Sequence, residues 1–156
     1  MNRMWTAKSI AYCLVAVGLV WSLSACSGSS PSPDPMPTGH TYSGLWFSPQ
    51  YEHMYLRHEG DRVMGVFTHR HGGTIEGTVQ GNLLIFEWNQ PGDRRAARRD
   101  MNGQGYFHLV VRDGEAHLVG EWGYGEDQSG APWHAEFIRD IEYHDPRRLE
   151  DLEGRR

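Results

Sequence analysis

Between Tyr42 and Asp140 apolar and polar positions alternate with a period of two, and nowhere with the 3.6 of an amphipathic helix. Glycine-bearing turns break the alternation roughly every eight to twelve residues, the spacing of short strands joined in sequence. The pattern predicts eight strands, over 43–47, 51–58, 61–69, 73–80, 83–90, 105–112, 115–122 and 132–139. Two-residue turns are expected at Glu59-Gly60, Gly81-Asn82 and Asp113-Gly114. Asp-Gly suits a type I′ turn, in which both central residues take positive φ.

Each turn implies a register that side-chain chemistry can check. Around Gly81-Asn82, Val79 should face Leu84, Gly77 face Phe86 and Ile75 face Trp88. Around Asp113-Gly114, Leu109 should face Leu118, Phe107 face Gly120 and Gly105 face Trp122. Around Glu59-Gly60, Leu56 should face Val63 and Met54 face Gly65. In all three hairpins the apolar residues fall on one face, as burial of a single face requires. Glycine recurs in mid-strand at Gly65, Gly77 and Gly120, which marks bends or close approaches. Kinks at matching positions let a small sheet coil until it closes. The expected fold is therefore all-β: a small antiparallel up-and-down barrel of about eight strands, with a two-sheet β-sandwich as the alternative.

The ends of the chain are patterned differently. Arg3 and Lys8 precede an apolar run from Ile10 to Trp21, followed by Leu23-Ser24-Ala25-Cys26. The run is short of the ~20 residues a spanning helix needs, and it has the three parts of a secretion signal. Leu23 to Cys26 resembles the lipobox of bacterial lipoproteins. That resemblance implies cleavage before Cys26 and a lipid on its thiol, with Ser27 pointing to the outer membrane. Residues 1–25 then form the signal peptide and 26–41 a lipidated cysteine with a tether. Ser27 to Thr38 holds four prolines and one large apolar residue, so it is expected to stay unfolded and extended, spanning about 40 Å. Residues 42–140 make up the barrel domain and 141–156 a tail with a short C-terminal helix. In that tail Asp145 caps, Pro146 opens and Gly154 ends the helix.

Cleavage takes Arg3 and Lys8 from the 15 basic residues and none of the 20 acidic ones, so the formal charge moves from −5 to −7. So acidic a chain is a poor partner for nucleic acid. Cys13 lies in the signal, so Cys26 is the one cysteine left and no disulfide staples the barrel.

Candidate chemistry is sparse. There are nine histidines, but no Cys-x-x-Cys and no His-x-x-x-His spacing, and His108 and His117 should be diagonal neighbours on the outer face. No metal, cofactor or catalytic residue is expected. Arg94, Arg95, Arg98 and Arg99 crowd the longest loop and could grip phosphate or carboxylate groups of anionic envelope components. Leu83, Ile85, Val110 and Val119 should face outward as an apolar patch.

Gly44-Leu45-Trp46-Phe47, with Val63-x-Gly65-x-Phe67 after the turn, resembles the opening strands of avidin and streptavidin barrels. Gly120-Glu121-Trp122-Gly123-Tyr124-Gly125 and Trp133 resemble small bacterial barrel lipoproteins with repeated G-x-W blocks. The resemblance implies a fold; the biotin-binding residues are not carried over, because the expected interior is almost wholly apolar. The expected function is that of a non-catalytic binding or scaffolding module, lipid-anchored in the outer membrane and facing the periplasm. Its partner would be the membrane itself, another envelope protein or an anionic envelope component. The alternatives are a lipocalin-like carrier of a small apolar ligand and an inhibitor of a secreted hydrolase.

Overall fold

The computed structural model describes residues 31–92 and 99–140. The lipobox and Cys26, the arginines Arg94, Arg95 and Arg98, and the expected C-terminal helix lie outside the described residues. Eight strands follow one another: β1 (Gly44–Ser48), β2 (Glu52–Glu59), β3 (Arg62–Phe67), β4 (Gly73–Gln80), β5 (Leu83–Gln90), β6 (Met101–Arg112), β7 (Glu115–Tyr124) and β8 (Ala131–Arg139). Each pairs antiparallel with the next, and β1 also pairs with β8. The sheet therefore closes as an up-and-down barrel rather than splitting into a sandwich.

Two of the three expected registers are observed residue for residue, at Gly81-Asn82 and at Asp113-Gly114. The third is displaced. Glu59 pairs with Arg62, so the turn is Gly60-Asp61, and Leu56 faces Gly65 rather than Val63. The displaced turn puts its one positive φ, 62°, on Gly60. A turn centred on Glu59-Gly60 would ask a glutamate for that conformation, which only glycine adopts without strain. Because the slip is two residues, the inward face stays inward. At Asp113-Gly114 both φ values are positive, as type I′ requires. Strand β6 starts at Met101, earlier than expected, which shortens the loop before it.

One aromatic shows how the glycines shape the interior. Phe86 sits in register between Gly77 on β4 and Gly105 on β6. A methyl group on Gly105 would come within 2.6 Å of the Phe86 ring, and one on Gly77 within 2.8 Å of its Cβ. Phe86 thus fills space that two missing side chains leave, and it stacks on Phe107 at 4.8 Å. Trp46, Leu56, Val63, Ile75, Leu84 and Leu118 complete a dry core.

The barrel has two unlike ends. One carries the β2–β3, β4–β5 and β6–β7 turns, and the chain before β1 closes it. From Ser32 onward the stretch expected to be unfolded lies against the barrel instead. Nε2 of His108 donates to the Ser32 carbonyl at 2.9 Å. The Asp34 N–H donates to Oδ1 of Asn82, and the Asn82 N–H returns to the Asp34 carbonyl, both at 2.8 Å. Met36 packs on the core. The strap is ordered, rather than a free tether, because Asn82 offers its backbone a ready mimic of a strand partner. Leu83 pairs with His108, the residue the strap bonds, and is only 2% exposed; Ile85, further along, is 40% exposed, and Val110 and Val119 are half-buried. The expected outer patch is therefore partly covered. A separate outer cluster, Leu45, Tyr55 and Val66, lies in register across β1–β3 and is buried.

Candidate functional site

The opposite end carries the longer connections, and there the side chains do not close over the core. They surround a cavity of about 240 Å³. Its floor is Trp133, near the start of β8, whose ring meets Phe67, Phe86 and Phe107 at 5.3–5.9 Å. Trp88 and Trp122 form a wall, perpendicular to each other at 5.2 Å. Tyr124, 59% exposed, extends this wall to the rim, and Tyr51 stands over Trp133 at 4.9 Å.

Local hydrogen bonds fix these rings. Oγ of Ser48, fully buried, accepts the Tyr51 N–H at 3.3 Å and donates to Oε1 of Gln50 at 3.2 Å. This brace sets the β1–β2 turn and hence the Tyr51 ring. The Trp122 indole donates to the Tyr51 hydroxyl at 2.8 Å, joining wall to lid. The Trp88 indole donates to the Gly123 carbonyl at 3.1 Å. Buried Gln90 donates to the His69 carbonyl at 2.9 Å and so pins the β3–β4 loop across the mouth. In that loop Arg70 has a φ of 60°, unusual for a residue other than glycine or asparagine. Such strain tends to gather where a loop is held for use.

Two polar atoms here lack partners. Trp133 is 4% exposed, and its Nε1 N–H has no hydrogen bond; Nδ1 of His69 has none either. A buried donor left unpaired costs about 1–3 kcal/mol, so each calls for an explanation. The third such atom among the described residues is Nε2 of His58, at the closed end.

The closed end is otherwise well satisfied. The Tyr42 hydroxyl donates to the Asn82 and Phe107 carbonyls, and the Trp46 indole donates to the Tyr42 carbonyl at 2.9 Å. Burial pushes the Tyr42 phenol far above its ordinary range, and backbone hydrogen bonds with Leu109 and Leu84 offset only part of that shift. A second, mostly polar depression lies beside the strap, between His40 and the β6–β7 turn, edged by Glu115, Glu136 and Asp140.

Of the sites expected from sequence, Arg99 is exposed on the loop that follows Gln90, at the cavity end. The base of that loop is closed by the Gly92 N–H donating to Oδ1 of Asp100 at 2.7 Å. His108 and His117 lie diagonally on β6 and β7, in the expected register. Among the described residues no three histidine, cysteine or acidic side chains cluster as a metal site would. Phe67, Trp88 and Trp122 point inward, and all three, while packed with the core, also line the cavity. Tyr51, His69, Arg70 and Gln90 were not singled out as binding residues. The expected registers carry a usable signal, since they place Trp88 and Trp122 at the same end of the barrel. Comparison with protein-family models, curated proteins and solved structures finds no match.

Proposed function

We propose that this chain is a bacterial envelope lipoprotein, anchored through Cys26, whose barrel is a non-catalytic binding module for a small ligand at its open end. The observation that carries this reading is the cavity, half-open and aromatic, at one end of an otherwise filled barrel. Mouths of barrels lined by aromatics with a few polar groups are common ligand sites. Among the described residues the lining offers His69 as an acid–base group but no serine, cysteine or carboxylate to act with it as nucleophile or orienting partner. A binding role therefore fits better than a catalytic one.

The strap bears on how such a module would be held. It docks on the closed end from Ser32, so only residues 27–31 separate Cys26 from the barrel. At full extension that is about 20 Å, half the reach of the tether expected from sequence. The closed end would face the membrane and the cavity would face away from it.

The first test is native mass spectrometry of the protein extracted from its own envelope. A stoichiometric small molecule, lost on Trp133→Ala, is the expected result; protein that is always empty, with no added compound perturbing its tryptophan fluorescence, would refute the binding role. For the anchor, Cys26→Ala should release a folded, soluble barrel that no longer functions in the cell. Full complementation by that variant would remove membrane placement from the function.

A further inference from the structure

The polar groups described around the cavity are unbalanced in charge: one is a cation, none is an anion, and two further donors are free. The Trp133 N–H is a donor only and has no partner. The Tyr51 hydroxyl already accepts the Trp122 N–H, so its own proton is left to donate. Arg70 contributes a guanidinium, which has no acceptor, and makes no ion pair with any described residue. Gln90 commits an amide N–H to the His69 carbonyl, and its oxygen, the Tyr124 hydroxyl and one imidazole nitrogen of His69 are the neutral groups able to accept. Among the described residues no aspartate or glutamate lines the cavity.

Aromatic walls alone would suit a quaternary ammonium group. The charge in the lining decides against that. A cation would meet Arg70 and no counter-charge among the described residues, whereas an anion would meet donors on two sides. Arg70 holds a φ of 60° at this rim, which keeps a charged side chain where glycine would be less strained. Size narrows the choice further. A cavity near 150 Å³ accepts benzene, so about 240 Å³ takes a single ring with a short chain.

We infer that the open end binds a small ring-bearing carboxylate. The ring lodges against Trp88, Trp122 and Trp133, and the carboxylate accepts from Tyr51 and Arg70 at the mouth. This rests on the binding role proposed above and supplies its ligand class. Arg70 sets the preference for the acid, because guanidinium and carboxylate match as a two-toothed, charge-assisted pair. Trp133 is a positioning residue for the ring, and its free N–H favours a ring that carries an acceptor.

The test uses the full processed chain in detergent micelles with three probes: 3-phenylpropionate, 3-phenylpropanamide and phenyltrimethylammonium. Binding is read by calorimetry and by tryptophan fluorescence. The acid should bind at least about tenfold tighter than the amide, as expected for gaining a charge-assisted contact, and the ammonium least well. Arg70→Met should weaken the acid at least about tenfold and the amide much less, bringing the two to similar affinity. Tyr51→Phe should weaken the acid more than the amide. Equal affinity for acid and amide, or an Arg70→Met variant that still discriminates, would overturn the ligand class while leaving the cavity as a binding site. No binding of any probe at millimolar concentration would overturn both.

Discussion

The two ends of this barrel are built from the same alternation of residues, yet one is sealed by the chain and the other is not. At the closed end Asn82 bonds to Asp34 through two links and to Leu109 through two more, while Tyr42 spans the opening beneath it. At the open end Trp133 and His69 each keep a buried polar atom without a partner, against His58 alone among the described residues at the closed end, and a cavity of about 240 Å³ remains. A fold optimised only for stability would close both ends, since each unpaired buried group and each void costs free energy. The difference separates a plug, which stabilises, from a mouth, which is kept open for something else.

The largest effect expected from this contrast lies in the plug. Asn82→Ala should destabilise the barrel by about 2–4 kcal/mol in urea unfolding, because several buried partners lose bonds at once. Tyr51→Phe at the mouth should cost less than about 1 kcal/mol, since it removes one half-buried bond. Similar losses for the two would dissolve the distinction.

Tyr42→Phe comes next, at about 1–3 kcal/mol, and it carries a pH signature. Burial raises the phenol's pKa in the folded state above the ordinary value of 10.0. The unfolded chain therefore loses its proton first as pH rises, and stability present below pH 10 should fall above it. The Tyr42→Phe variant should show a shallower alkaline decline. Some slope should persist from Tyr106, which burial and then Glu121 also shift upward. Identical alkaline profiles for the parent and the variant would contradict burial of Tyr42 in the plug.

The smallest effect has the opposite sign. Arg70→Gly should raise stability by about 0.5–1 kcal/mol, by relieving a positive φ against glycine's greater unfolded-state freedom. The same change should abolish preference for the carboxylate probe. Stabilisation together with lost selectivity would mark Arg70 as held for function at a structural cost.

Much of this architecture was legible because a β-hairpin announces itself locally. Asp113-Gly114 and Gly81-Asn82 dictated their turns, and period-two alternation dictated the inward face. The Glu59 hairpin was read one turn position early, because sequence shows that a glycine is present but not which turn position needs the positive φ. The strap was illegible for a different reason. Its composition predicts disorder, and only the tertiary placement of Asn82 and His108 gives its backbone partners. The mouth was half legible. Trp88 and Trp122 were placed inside correctly, but whether inward aromatics fill a barrel or line a cavity depends on what stands opposite. Opposite them are His69 and Arg70, in a loop whose path no periodicity encodes.

The most direct test of a structural end and a binding end is nuclear magnetic resonance of the indole N–H groups. The folded region has four: Trp46 in the plug, and Trp88, Trp122 and Trp133 around the mouth. In the unliganded protein the Trp133 proton should resonate furthest upfield, as the one without an acceptor. Titration with 3-phenylpropionate should move Trp133 and Trp122 strongly and leave Trp46 where it is. A shift confined to Trp46, or uniform shifts across all four, would contradict the assignment of the two ends.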